Sequence, residues 1–295
     1  MSLKRFYSIL TGMILFNLLY GPLVRATDSG LACPDWPLCH GKFVPEWTFQ
    51  IFMEVGHRYY SGILGILVGI GFIWILKDSA LRKRYGILAS VSLLFLLSQV
   101  TLGALTVTKL LHPTTVNLHL LNAVLLLTSC LTIRLLLGTE GQSEFVWTGS
   151  ARMVPIFVLV IVLYQLFLGG KVSSNYAGLA CPDFPTCYGD WFPEWTGTIR
   201  YQMEHRFFGY FTGLVVLGFS AWGILTFQNK KAKFYLKLSA YLIVLQILIG
   251  AMNVIYLIPK FLTGIHTLNG VLVFLSCYLA FFYKFQSEVN HPNHV

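Results

Sequence analysis

The chain is 295 residues long, 56% hydrophobic and only 11% charged, with 21 basic against 12 acidic side chains and a formal net charge of +9. A soluble domain carries roughly 25% charged residues, so this composition excludes an ordinary water-soluble fold and makes lipid the solvent. The excess of positive charge does not mark a nucleic-acid-binding protein, because the basic residues collect in the connectors between apolar runs.

In chain order, eight runs approach the roughly 20 apolar residues needed to cross a bilayer as a helix. They cover about 6–26, 57–76, 85–108, 115–137, 153–172, 204–227, 234–257 and 262–284. Runs this long are helices, since barrel strands are far shorter. The expected fold class is therefore an all-α integral membrane protein with eight transmembrane helices. The first run follows Lys4 and Arg5 as a signal peptide would. It is nevertheless long enough to span, and it ends at Arg25-Ala26-Thr27-Asp28 without a clear small-residue cleavage site, so we read it as a retained helix. Thirteen of the 21 basic residues fall on one side: Lys4, Arg5, Lys77, Arg82, Lys83, Arg84, Arg134, Arg152, Lys230, Lys231, Lys233, Lys237 and Lys284. The positive-inside rule makes that side cytoplasmic. Both termini are then expected in the cytoplasm, with the long connectors around 28–56 and 173–203 outside the cell membrane. Connectors of that length read as functional loops.

The two long loops are near copies. Gly30-Leu-Ala-Cys-Pro-Asp-Trp-Pro-Leu-Cys-His-Gly41 matches Gly178-Leu-Ala-Cys-Pro-Asp-Phe-Pro-Thr-Cys-Tyr-Gly189, and both continue to Pro-Glu-Trp-Thr. The match enters the helices. His57-Arg58 pairs with His205-Arg206 at the same offset of 148. Gln99, Gly103, His119, Asn122 and Cys130 pair with Gln246, Gly250, His266, Asn269 and Cys277 at an offset of 147. Such self-similarity is the mark of a duplicated unit. We divide the chain into residues 1–140 and 141–295, two tandem four-helix bundles. An even number of helices per unit makes the repeats parallel.

Four of the eight histidines, His57, His119, His205 and His266, occupy duplicated positions near the outer ends of the second and fourth helix of each unit. Two imidazoles facing each other across a helix bundle are the arrangement that holds a six-coordinate heme iron, and ionisable side chains inside a membrane mark function. The bland alternative is an interfacial histidine satisfied by carbonyls or water. Zinc is a weaker rival, with two histidines per unit and no HExxH. Arg25, Arg58, Lys171 and Arg206 sit at outer helix ends, where they either receive heme propionates or simply snorkel. His40, His112, His291 and His294 have no repeated partner. The units differ at one telling position. Glu54 stands three residues before His57, on the same helical face, whereas its counterpart is Gln202. A carboxylate can relay protons and an amide cannot, so the first unit reads as reactive and the second as a fixed electron carrier. Cys33/Cys39 and Cys181/Cys187 form duplicated loop pairs that an oxidising compartment lets bridge, either as braces or as redox-active pairs.

Taken together, Glu54-x-x-His57, His119, His205, His266 and the Cys33/Cys39 pair, set in two four-helix repeats, resemble the heme A synthase family along nearly the whole chain. That resemblance implies an oxidoreductase converting a methyl group of heme O to the formyl group of heme A for cytochrome oxidase, by successive hydroxylations. It implies heme O as substrate between His57 and His119, Glu54 as the essential acid, and heme b as cofactor between His205 and His266. Implied partners are the lipid bilayer, a heme O synthase, and a quinol or other electron donor; a homo-oligomer is left open. The competing expectations are a di-heme b-type electron-transfer cytochrome that does not modify heme, and a heme transporter or delivery protein.

Overall fold

The computed structural model describes residues 1–138 and 153–285. Arg152, the 140/141 boundary, His291 and His294 lie outside the described residues. Among the described residues there are eight helices: α1 (Leu3–Ala26), α2 (Phe49–Lys77), α3 (Ser79–Thr108), α4 (Pro113–Leu136), α5 (Met153–Ser174), α6 (Gly197–Thr226), α7 (Lys230–Ile255) and α8 (Lys260–Phe285). Each is long and apolar enough to cross a membrane, and the chain is a multi-pass membrane protein.

Apolar runs decide where the helices lie, but at α2, α3 and α7 capping side chains decide where they begin. Thr48 accepts the Ile51 amide at 3.2 Å, so α2 starts at Phe49 rather than near 57. Asp78 accepts the amides of Ala80 and Leu81 at 2.9 and 3.0 Å, which moves the start of α3 from near 85 to Ser79. Asn229 does the same for Lys231 and Ala232 ahead of α7. Glu54 and His57 therefore sit one to three turns inside a formed helix rather than at its edge.

The chain separates into two compact units, the first ending at Gly138. In the first unit α1 packs against α2 and α4, and α3 completes the ring between α2 and α4. In the second, α5 packs against α6 and α8, with α7 between those two. Within the first unit, the long loop before α2 and the short turn before α4 lie at one end, so His57 and His119 share a level. The same holds for His205 and His266 in the second unit. At the loop end of its own unit each of α1, α3, α5 and α7 finishes in left-handed residues: Asp28, Leu110 with Leu111, Tyr176, and Leu257 with Ile258. In each case an amide reaches back five residues, as in Ser29→Val24 at 2.9 Å and Ala177→Val172 at 2.9 Å. This is the Schellman-type stop, and it turns each chain sharply into its loop.

Each long loop is folded by its own repeat. Cys33 and Cys39 are bonded, as are Cys181 and Cys187. Asp35 accepts the amides of His40 and Gly41 at 2.7 and 2.8 Å, and Asp183 accepts those of Tyr188 and Gly189 at 2.7 and 2.9 Å. Bonds from the Gly41 and then the His40 amide hold Asp35 below its ordinary value. The Thr186 hydroxyl, followed by the Gly189 and Tyr188 amides, brings Asp183 down to about 2. The helical cysteines Cys130 and Cys277 are buried and free.

Candidate functional site

In the second unit the rings of His205 and His266 meet, with centroids 6.4 Å apart. A metal bound to one nitrogen of each ring sits about 2 Å from both. Adding the ring radii gives a centroid separation of roughly 6 Å, so this pair is spaced to share one metal. Behind each ring the neighbouring helix presents a glycine. A Cβ on Gly169 would stand 3.1 Å from His205, and one on Gly250 would stand 3.0 Å from His266. Gln246 places its amide nitrogen 3.3 Å from His266 Nε2 and donates to the His266 carbonyl at 3.0 Å. Asn269 fixes that amide by donating to Gln246 Oε1 at 2.8 Å and to the Leu242 carbonyl at 3.0 Å. Gln165 holds His205 in a similar way, 3.0 Å from Nδ1.

The first unit repeats the frame. His57 faces Gly21, where a Cβ would lie 3.4 Å from Nε2, and His119 faces Gly103 at 3.2 Å. His119 lies within electrostatic reach of His57. Gln99 approaches His119 Nε2 at 3.2 Å and accepts from Asn122 at 2.7 Å. Asn122 also donates to the Phe95 carbonyl at 2.8 Å. In both units the remaining ring nitrogen, Nδ1 of His119 and of His266, is buried and without a partner among the described residues. A ring whose direction is fixed by a neighbouring group, and which keeps one nitrogen unsatisfied, can offer that nitrogen to a metal in its unprotonated form. The glycine cradles and orphaned nitrogens of both units, and the ring spacing of the second, fit a bis-histidine heme. No cluster of three His, Cys, Asp or Glu side chains forms among the described residues; a porphyrin supplies four nitrogens of its own, so two imidazoles complete six-coordination.

Glu54 is 4% exposed and turned toward the loop. One carboxylate oxygen accepts the Cys33 amide at 2.8 Å, and the other meets the Arg58 guanidinium at 2.5 Å. Arg58 also donates to the carbonyls of Asp35, Leu38 and Cys33 at 2.8, 2.6 and 3.3 Å. The carboxylate, its counter-charge and the disulfide loop are thus one assembly on the helix that carries His57. In the second unit Arg206 reaches the carbonyls of Thr186, Cys181 and Pro185 at 2.5, 3.0 and 3.5 Å. Gln202 donates to the Gly178 carbonyl at 3.3 Å, and among the described residues makes no other side-chain hydrogen bond. Of the four basic residues suggested for propionates, Arg58 and Arg206 thus bind loop carbonyls, a role the sequence did not suggest. Lys171 pairs with Glu204 at 3.0 Å, and Arg200 joins the same carboxylate at 2.7 Å. Arg25 stands in the last turn of α1.

Residues 4–51 and 46–278 match the sequence family described as "Cytochrome oxidase assembly protein" (COX15-CtaA). The chain belongs to this family. Among curated proteins, it is 32% identical over 216 residues to the heme A synthase of Bacillus licheniformis, covering 70% of each chain. It is 31% identical over 269 residues to that of Bacillus pumilus, covering 86% of this chain and 85% of the other. With the heme A synthase of Halalkalibacterium halodurans the identity is 26% over 285 residues, covering 94% and 96%.

Several site residues were not singled out by sequence reasoning. Gly21 and Gly169 stand 148 residues apart, and that spacing alone could have found them. Gln165 gave no such signal, because its counterpart is Asn17.

Proposed function

We propose that this protein is a heme A synthase, oxidising a methyl group of heme O to the formyl group of heme A in the membrane, with His57 and His119 holding the substrate iron and His205 and His266 holding heme b. The observation that carries the reading is the duplicated histidine couple, each ring backed by a helical glycine and one couple spaced to share a metal. The name borne by the relatives agrees with it.

Heme b, when bound, supplies one-electron transfer. The chain's own contribution is placement. His119 is oriented by Gln99 and Asn122, and His266 by Gln246 and Asn269. Glu54, held between the Cys33 amide and Arg58, is the titratable group that moves protons between the loop and the substrate. Hydroxylating a methyl group twice gives a geminal diol, which loses water to the aldehyde, and each hydroxylation needs an oxidant and a proton path. Glu54 against Gln202 gives the units different tasks, which an electron-transfer cytochrome would not require. We place the long loops outside the cell membrane and both termini in the cytoplasm, from the distribution of Lys and Arg. Heme O comes from a heme O synthase, and electrons pass to or from a quinol or similar carrier.

The test is pyridine hemochrome spectroscopy with mass analysis of extracted pigment, on wild type, His57→Ala and His205→Ala. Expected are heme B together with heme O, heme A or an alcohol intermediate, the B signal lost on His205→Ala and the others on His57→Ala. Heme B alone at two per chain would overturn the enzymatic reading.

A further inference from the structure

The units differ in what steadies the histidine on the second helix of each. Gln165 of α5 touches His205 twice, with its amide nitrogen 3.0 Å from Nδ1 and donating to the backbone carbonyl at 3.0 Å. That amide has room because residue 209 is glycine, where a Cβ would stand 3.0 Å from Gln165 Nε2. At the equivalent positions the first unit has Asn17 and Ser61. Asn17 is one methylene shorter, and the Ser61 hydroxyl takes its amide at 3.0 Å. Asn17 Oδ1 is left buried without a partner among the described residues. The His57 ring makes no hydrogen bond among the described residues; beside it stand the edge-on Tyr20 ring at 5.5 Å and Gly21. Three of the four duplicated histidines thus have a glutamine amide against a ring nitrogen, and His57 does not.

We infer that His57 is the histidine free to leave the iron, and that Asn17 and Ser61 are the positioning residues that leave it so; the inference rests on the heme reading above. Contacts with neighbouring groups orient a ligating histidine; the glutamine amide nitrogen is a donor only, so it fixes the direction of the ring without raising its basicity. A ring without such contacts turns away at lower cost. A substrate whose own iron is to react needs one ligand able to depart, whereas an electron carrier needs both held. The two pairs, Gln165 with Gly209 and Asn17 with Ser61, fit these opposite requirements. Each works only as a pair, since serine at 209 would crowd the glutamine and asparagine at 165 would fall short.

The experiment uses the full chain in detergent, loaded with ferric protoheme to two per chain and titrated with cyanide. The Soret shift and the EPR signals of the two hemes are the readouts. Wild type is expected to bind cyanide readily at one heme. Asn17→Gln with Ser61→Gly should weaken that binding at least about fivefold, the worth of one hydrogen bond of about 1 kcal/mol at 1.4 kcal/mol per tenfold. Gln165→Asn with Gly209→Ser should make the second heme reactive to a similar degree. If the first exchange fails to assemble, Gln165→Asn alone decides. Cyanide binding that follows neither exchange, with both hemes in place, overturns the inference and leaves the heme reading standing. A wild-type chain that takes up no heme overturns both.

Discussion

Replacing Arg58 with methionine isolates the most unusual contact in the first unit. The Glu54 and Arg58 side chains are 6% and 12% exposed, and removing one partner of a buried pair costs about 3–5 kcal/mol because the other charge is stranded. With this exposure the lower end applies, about 3 kcal/mol, or roughly a hundredfold at 1.4 kcal/mol per tenfold. The loss should appear as loop opening, since the same guanidinium also holds the Asp35, Leu38 and Cys33 carbonyls. Hydrogen–deuterium exchange reads it directly: protection of the Cys33 amide, which donates to Glu54, should fall by about two orders of magnitude. Arg206→Met strands no carboxylate and removes carbonyl contacts and a cation–π contact with Phe184, so protection of the second loop should fall by about tenfold, near 1.5 kcal/mol. Combining Arg58→Met with Glu54→Gln should bring the first loop back to that milder level, because no unpaired charge remains. Wild-type protection in Arg58→Met, or a double variant as open as Arg58→Met alone, would refute the reasoning.

Glu54→Gln keeps the shape and can still accept the Cys33 amide, so heme content should hold while heme A output falls by about 10²–10⁴, the usual worth of a general acid or base; pigment analysis of cells expressing the variant measures both. Gly250→Val would set side-chain carbons against His266, where even a Cβ stands 3.0 Å away, so the heme B absorbance should be lost while the first unit keeps its ligands. Asp183, held at about 2 mainly by the Thr186 hydroxyl, contributes to the second loop above its ordinary value of 3.8. That contribution should fade as pH falls through about 2, and Thr186→Val should move the loss to higher pH in an acid titration followed by exchange of the second loop. Protection of that loop independent of pH down to 2 would count against it.

Much of the frame was legible in the sequence because its signals are periodic or duplicated. Apolar runs gave eight helices, and fixed offsets brought out the four histidines. Helix starts were misplaced at α2, α3, α6 and α7. At three of them Thr48, Asp78 and Asn229 act through one side-chain oxygen each, which a hydropathy window does not register; α6 begins at Gly197 rather than near 204, behind Thr196, whose side chain makes no capping bond. The work of Arg58 and Arg206 was hidden for a different reason. Their acceptors are backbone carbonyls, and every residue has one, so no residue type announces the contact. Gln165 escaped because a repeat search rewards identity, and here the chemistry lies in a difference, Gln165 with Gly209 against Asn17 with Ser61.

The glycine behind each histidine has a consequence for how such a protein can change. A ring that rests on bare main chain has its jaw width set by the distance between helix axes, and no side chain there can be trimmed or lengthened to adjust it. Gene duplication therefore handed both halves the same glycine backing. What differs is the polar trim around it, one methylene in α1 and one hydroxyl in α2, the difference on which the unequal grip inferred above depends.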